Sequence, residues 1–288
     1  MKPNKPNISL LDYSVSKESF SLIYNPDLEL YATTPVPSIH DLPAYYKSDD
    51  YISHTDSNHS LFDKLYQQIK KHTLRSKLKL IDSYKVQNRN LLDIGCGTGD
   101  FLYTAQRKGW NIVGVEPNEK ASALAQNKLG TDVSIFENLN DLLKNQTLQS
   151  FDVITLWHVL EHVPNYDEYI SSIKKMLHPD GILIIAVPNY NAYDANYYGK
   201  FWAAYDVPRH LWHFSQNSMK IIFSQYELKV MHTKPMYFDS FYVSLLSEKY
   251  KNTKSHFIKA FWIGLVSNFK AIGNNEYSSL IYVIKNTK

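Results

Sequence analysis

Residues 157–162 read WHVLEH and contain H-x-x-E-H, a spacing that can put two imidazoles and a carboxylate around a zinc ion. Zinc would need His158 and His162 on one helix face and a third ligand from far downstream. FDVITLW instead reads as a strand running straight into Trp157 and His158, so the first histidine falls at a strand end and no metal is expected. His162 then caps a local turn or packs beneath the upstream glycine loop, and Glu161 bonds to backbone amides there. That loop, LLDIGCGTGDF, sets Gly95, Gly97 and Gly99 between a strand and a helix, where backbone can pass close to a ligand. A dinucleotide fingerprint would need a third glycine at position 100, which is Asp100. Glu116 closes the next strand, NIVGVEP, and its two oxygens suit a cis-diol.

A second group of candidates sits around PRHLWHFS, with Arg209, His210 and His213 close together. The preceding run YNAYDANYYGKFWAAYDVPRH offers aromatic faces plus Asp194, Asp206 and Arg209, a composition suited to stacking on a polar organic molecule. Tyr198, Trp202, Arg209 and His213 are therefore candidate substrate contacts, although the aromatics can equally pack on one another. Near the N-terminus, AYYKSDDYISHT places Tyr46, Tyr51 and His54 where a lid would close. His158, at the strand exit, and His210 are the candidate bases, since a neutral imidazole takes a proton at physiological pH.

The elements that must position these residues alternate strand and helix. An amphipathic helix over roughly 60–83 is followed by strands at NLLDIG, NIVGVEP, DVSIF, FDVITLW and GILIIAVPN, with helices between them closed by Gly109 and Gly130. This predicts an α/β, Rossmann-like doubly wound sheet of about seven strands, with LKVMHTKPM and an antiparallel SSLIYVIKN closing it. Residues 1–60 read as an extended strap of turns, giving 1–83 as strap and helical cap and 84–288 as the ligand-binding domain. That domain carries the aromatic segment 190–214 and an inserted pair of amphipathic helices over 239–272. Their apolar faces fit core, a homodimer contact or the surface of a bilayer.

The chain resembles the class I S-adenosylmethionine-dependent methyltransferases. Their first motif, D-x-G-x-G-x-G, is matched by Asp93, Gly95, Gly97 and Gly99, and L-E-H-V after the fourth strand by residues 160–163. The resemblance covers about 90–190, with 208–215 added, and points to the branch acting on quinone precursors, sugars and other small molecules. It implies that the glycine loop, with Cys96 as a small packing residue, passes under the amino-acid end of the cofactor. Glu116 and Pro117 would meet the ribose, Asn138 and Leu139 the adenine, and Trp157 the same pocket. S-adenosylmethionine is then the cofactor, S-adenosylhomocysteine the product, and a small molecule the methyl acceptor. RNA or protein methylation and a non-catalytic cofactor-binding module are the alternatives.

Composition narrows these. Over 288 residues, 44% hydrophobic and 20% charged content describes a folded chain rather than a disordered one. A net charge of +3 from 31 basic and 28 acidic residues supplies no concentrated basic stripe, so no nucleic-acid partner is expected. The single cysteine points to a reducing compartment, and no run reads as a signal peptide or membrane span, which makes the cytoplasm the expected location.

Overall fold

A computed structural model of the chain describes residues 5–38, 40–46, 61–145, 149–252 and 256–287. In order, the elements are β1 (Ile8–Leu11), β2 (Ser19–Asn25), β3 (Leu30–Thr34), α1 (Leu61–Asp82), β4 (Asn90–Ile94), α2 (Asp100–Gln106), β5 (Asn111–Val115), α3 (Glu119–Leu129), β6 (Ile135–Phe136) and α4 (Leu139–Asn145). They continue with β7 (Phe151–Trp157), α5 (Tyr166–Met176), β8 (Leu177–Pro188), α6 (Tyr193–Tyr198), β9 (Trp212–His213), α7 (Gln216–Ser224), β10 (Leu228–Pro235), α8 (Asp239–Tyr250), α9 (His256–Asn274) and β11 (Ser279–Asn286).

Seven strands form one sheet in the order β10-β11-β8-β7-β4-β5-β6. β4 to β8 run parallel, and β11 lies antiparallel between β8 and β10. The central strands are nearly continuous apolar runs because helices cover both faces. Alternation then divides the side chains. Leu92, Ile94, Leu156 and Leu183 join Ile170 and Ile173 of α5 and Met219 of α7 on one face. Leu91, Val153, Ile182 and Ile184 join Leu78 and Ile81 of α1 and Leu102 of α2 on the other. Each such fully buried aliphatic side chain contributes about 1.5–3 kcal/mol.

Residues 8–34, within the expected strap, fold as strands. β1, β2 and β3 form an antiparallel meander that captures β9, with Tyr31 opposite His213 and Ala32 opposite Trp212. Thr33 N–H also donates to Leu211 O at 2.9 Å. Alternating polar and apolar residues in SFSLIYN make β2 a half-buried strand, with Phe20, Leu22 and Tyr24 inward.

The two late helices also differ from expectation. α8 buries Ser240, Val243, Ser244, Ser247 and Glu248, so its inward face is largely small and polar. α9 turns Ala260, Gly264, Ser267 and Ala271 inward, while Ile258, Phe261, Trp262, Leu265, Phe269 and Ile272 stand exposed. Close approach explains this, since a Cβ on Gly264 would lie 2.8 Å from the Phe241 ring. The large residues are displaced outward. No helix among the described residues is long and apolar enough to cross a membrane.

Candidate cofactor and methyl-transfer site

The glycine loop leaves β4 and crosses β5 at once: the amides of Gly95 and Cys96 both donate to Val115 O, at 2.7 and 3.0 Å. Gly95 has φ +71°, and a Cβ there would lie 2.4 Å from Val159 Cγ2. Gly97 has φ +55° with nothing within 4 Å of a would-be Cβ, so its backbone faces open space. Cys96 packs instead: its Sγ would be 2.8 Å from a Cβ on Gly114, and burial pushes its thiol pKa well up.

Glu116 braces the loop, accepting from Gly97 N and Asn118 N at 2.8 Å each, one on each oxygen. Each oxygen keeps a second lone pair for a ligand. Asp93 lies buried beneath, accepting from Thr155 Oγ1 at 2.6 Å. Burial raises its pKa to about 7, against the pull of Thr155 and of the Lys77 charge. Lys77, on α1, is held down to about 8 by burial, opposed by Asp93 and Asp239. Its ammonium lies 4.2 Å above the Trp157 ring, whose buried Nε1 has no hydrogen-bond partner among the described residues.

These residues fit the cofactor the motif implies. An acid with spare lone pairs and an unobstructed glycine backbone are what a nucleoside-bearing ligand needs. Asn138 and Leu139 do not match the expected adenine contacts. The Asn138 side chain caps α4, accepting from Asp141 N at 3.0 Å and donating to Asp141 Oδ2 at 2.8 Å, while Leu139 is buried in the core. Pro117 is exposed beside Glu116.

At the β7 exit His158 adopts φ +59°, turning its ring between two carboxylates. Nδ1 meets Glu161 Oε1 at 3.2 Å and Nε2 meets Asp239 Oδ2 at 3.1 Å. Burial opposes charge here, but the two acids outweigh it and raise the pKa to about 10. Both ring nitrogens of His158, the expected base, are thus engaged by carboxylates that favour its protonated form. His210 is buried, with its Nδ1 bound to Ala204 O at 2.9 Å.

The H-x-x-E-H residues divide. Glu161 and His162 gather with His210, and one ligand atom from each lies within 4.8 Å of the others. His162 Nδ1 meets Arg209 O at 3.0 Å and the Tyr46 hydroxyl at 3.2 Å. Glu161 is fully buried, and its Oε2 has no partner among the described residues.

Part of the aromatic segment lines a small cavity of about 220 Å³, where Trp202, Tyr205, Asp206 and Arg209 face Leu10, Tyr13 and Ser14. Tyr198 and Trp202 are buried in a cluster with Phe20, Leu22 and Tyr31 of the small sheet. Arg209 is buried in ion pairs with Asp12 at 3.0 Å and Asp206 at 2.7 Å, and His213 Nε2 meets Thr33 Oγ1 at 2.9 Å. Covering by β1–β3 buries most of the segment's aromatic faces and leaves only this small cavity beside β1. Tyr51 and His54 lie outside the described residues. Sequence reasoning missed Lys77, Asp239 and Asp12. Only Lys77, basic on a helix ahead of the glycine loop, carried a usable signal, because Asp239 and Asp12 meet their partners from distant parts of the chain.

The sheet order, the reversed β11 and the glycine loop over β5 define a class I S-adenosylmethionine-dependent methyltransferase fold. Residues 65–233, more than half of the chain, match the methyltransferase-domain family, and the chain belongs to it. Among solved structures it is similar to magnesium protoporphyrin IX methyltransferase from Synechocystis PCC 6803 with bound S-adenosylhomocysteine, at TM-score 0.51 and 16% identity, covering 81% of this chain and 90% of that one. A cyclopropane synthase from Mycobacterium tuberculosis gives TM-score 0.52 at 15% identity, with 87% and 99% covered. Both likenesses concern the fold. Among curated proteins, the ubiquinone biosynthesis O-methyltransferase of Actinobacillus pleuropneumoniae serotype 5b is 37% identical over 109 residues, 35% of this chain and 46% of that protein. The enzyme of the same name from Agrobacterium fabrum is 33% identical over 107 residues, with 36% and 42% covered. The chain thus spans under half the length of these relatives.

Proposed function

We propose that the protein transfers a methyl group from S-adenosylmethionine to a small-molecule acceptor by in-line displacement. The observation that carries this is the open glycine loop braced by Glu116, whose two oxygens each keep a lone pair for a ligand. When bound, the cofactor supplies a methyl already activated on a sulfonium. What remains for the chain is to hold, align and keep water out. Glu116 would accept from the ribose hydroxyls, the Gly95–Gly99 backbone would pass under the amino-acid end, and Lys77 would offer its charge to the carboxylate there. His158 would hold Asp239, and with it the start of α8, over the transfer site. The ubiquinone-named relatives support an oxygen nucleophile on a small aromatic acceptor.

Functionally, 84–288 would be the cofactor domain and 1–83 its cover, with α1 lying over the site and the small sheet over 190–214. The exposed face of α9 supports a homodimer in which two such helices pack together. The single, buried Cys96 accords with a cytoplasmic setting.

Calorimetry with S-adenosylhomocysteine tests the reading. Wild-type protein should bind, and Glu116→Ala should weaken binding by roughly tenfold, about 1.4 kcal/mol. No binding by wild type, or unchanged affinity in Glu116→Ala, would overturn the cofactor site. Binding without turnover on any phenol, amine or sugar acceptor would leave a cofactor-binding module in its place.

A further inference from the structure

We propose that Glu161, His162 and His210 bind one divalent transition-metal ion of the zinc type, which locks the β7 exit to the 190–214 segment. Two imidazoles and one carboxylate form a donor set that such ions accept. One ligand atom from each residue lies within 4.8 Å of the others, and metal–ligand bonds of about 2.0–2.2 Å require inward shifts on the order of 1 Å.

Three further observations support an ion here rather than mere packing. Glu161 is 0% exposed, its Oε1 meets His158 Nδ1, and its Oε2 has no partner among the described residues. A buried carboxylate oxygen left bare is costly, and a cation removes that cost. Both histidines also have a fixed tautomer. Arg209 O and Ala204 O can only accept, so Nδ1 of each ring carries the proton and, in the neutral ring, Nε2 presents its lone pair. A carbonyl holding the far nitrogen is the usual second contact of a metal-bound imidazole. Finally, His162 is only half-buried, which leaves a path for the ion and for a completing water beside Tyr46.

The consequence is structural. Residues 161 and 162 and residue 210 belong to distant parts of the chain, and a bond between them closes a long loop, where a clip constrains the unfolded chain most. The ion would also fix the Glu161 carboxylate that orients His158. The site stands independently of the proposed methyl transfer, and its test does not read activity.

Protein stripped with a chelator and dialysed should be titrated with Co²⁺, following the visible ligand-field absorbance, and melted with and without Zn²⁺. Wild type and the exposed-histidine control His232→Gln should bind one equivalent of Co²⁺ and melt higher with Zn²⁺. Glu161→Gln, which keeps the size and a hydrogen bond to His158, should bind Co²⁺ roughly tenfold or more weakly and lose the Zn²⁺ shift. His210→Gln should do the same. Far-UV circular dichroism checks folding, and if His210→Gln does not fold, Glu161→Gln decides. No Co²⁺ band in wild type would overturn the proposal, as would a band of unchanged affinity in the folded variants.

Discussion

At the scale of single residues, the glycine loop gives the sharpest expectation. Gly95→Ala puts a Cβ 2.4 Å from Val159 Cγ2 at a φ of +71°, a conformation that costs an L-residue roughly 1–2 kcal/mol before any clash. Weaker S-adenosylhomocysteine binding by calorimetry, with thermal stability lowered as well, is the expected outcome. His158 behaves differently: as an imidazolium between Glu161 and Asp239 it holds structure, so His158→Ala should lower the melting temperature while affinity for S-adenosylhomocysteine stays within a few fold. Asp12 supplies the pH dependence. Burial alone would raise its pKa, yet bonds to Arg209 and Ser16 depress it to about 2. A depressed carboxylate stabilises the folded state above its unfolded value near 4 and loses that contribution, about 2 kcal/mol, as pH falls from about 4 to 2. Asp12→Asn should flatten acid unfolding over that window in a melting-temperature profile. The motif residues Asp93, Gly95, Gly97 and Glu116 were legible because their spacing is local. The roles of His158 and Arg209 were not, since their partners Asp239 and Asp12 are remote in sequence.

At the scale of elements, α6, α9 and the start of β11 meet on one buried carboxylate. Asp194 accepts from Trp202 Nε1, Ser267 Oγ and Ser278 Oγ, each at 2.7 Å. Burial raises its pKa despite these three donors. Asp194→Ala would strand them in the interior, at a cost of about 2–4 kcal/mol, measurable as a lower urea midpoint. Strands β4, β5, β7 and β8 could be read from their apolar runs because the sheet is covered on both faces. β6 was legible within DVSIF, although only the last two of those residues pair, and α4 escaped, being too short to show a period. α8 and α9 misled because helix-on-helix contact here rests on Ser, Ala and Gly. Hydrophobic patterning therefore pointed to the outward face.

At the scale of the whole molecule, that outward face of α9 carries a prediction of its own. Trp262→Glu with Phe269→Glu should convert a dimer to a monomer in size-exclusion chromatography with light scattering. A wild type that is monomeric at all concentrations, or that binds vesicles of anionic lipid through these residues, would refute the homodimer. The small sheet was invisible in sequence because its fourth strand is two residues long and lies some 180 residues beyond β3. That separation bears on how the chain is made. Residues 8–34 are made before the main sheet and can pair among themselves, but β3 gains its outer neighbour, and Asp12 its arginine, only when Arg209 to His213 emerge. Docking of the meander onto the 190–214 segment must wait through synthesis of most of the main sheet, and this high-contact-order closure makes it a late step of folding.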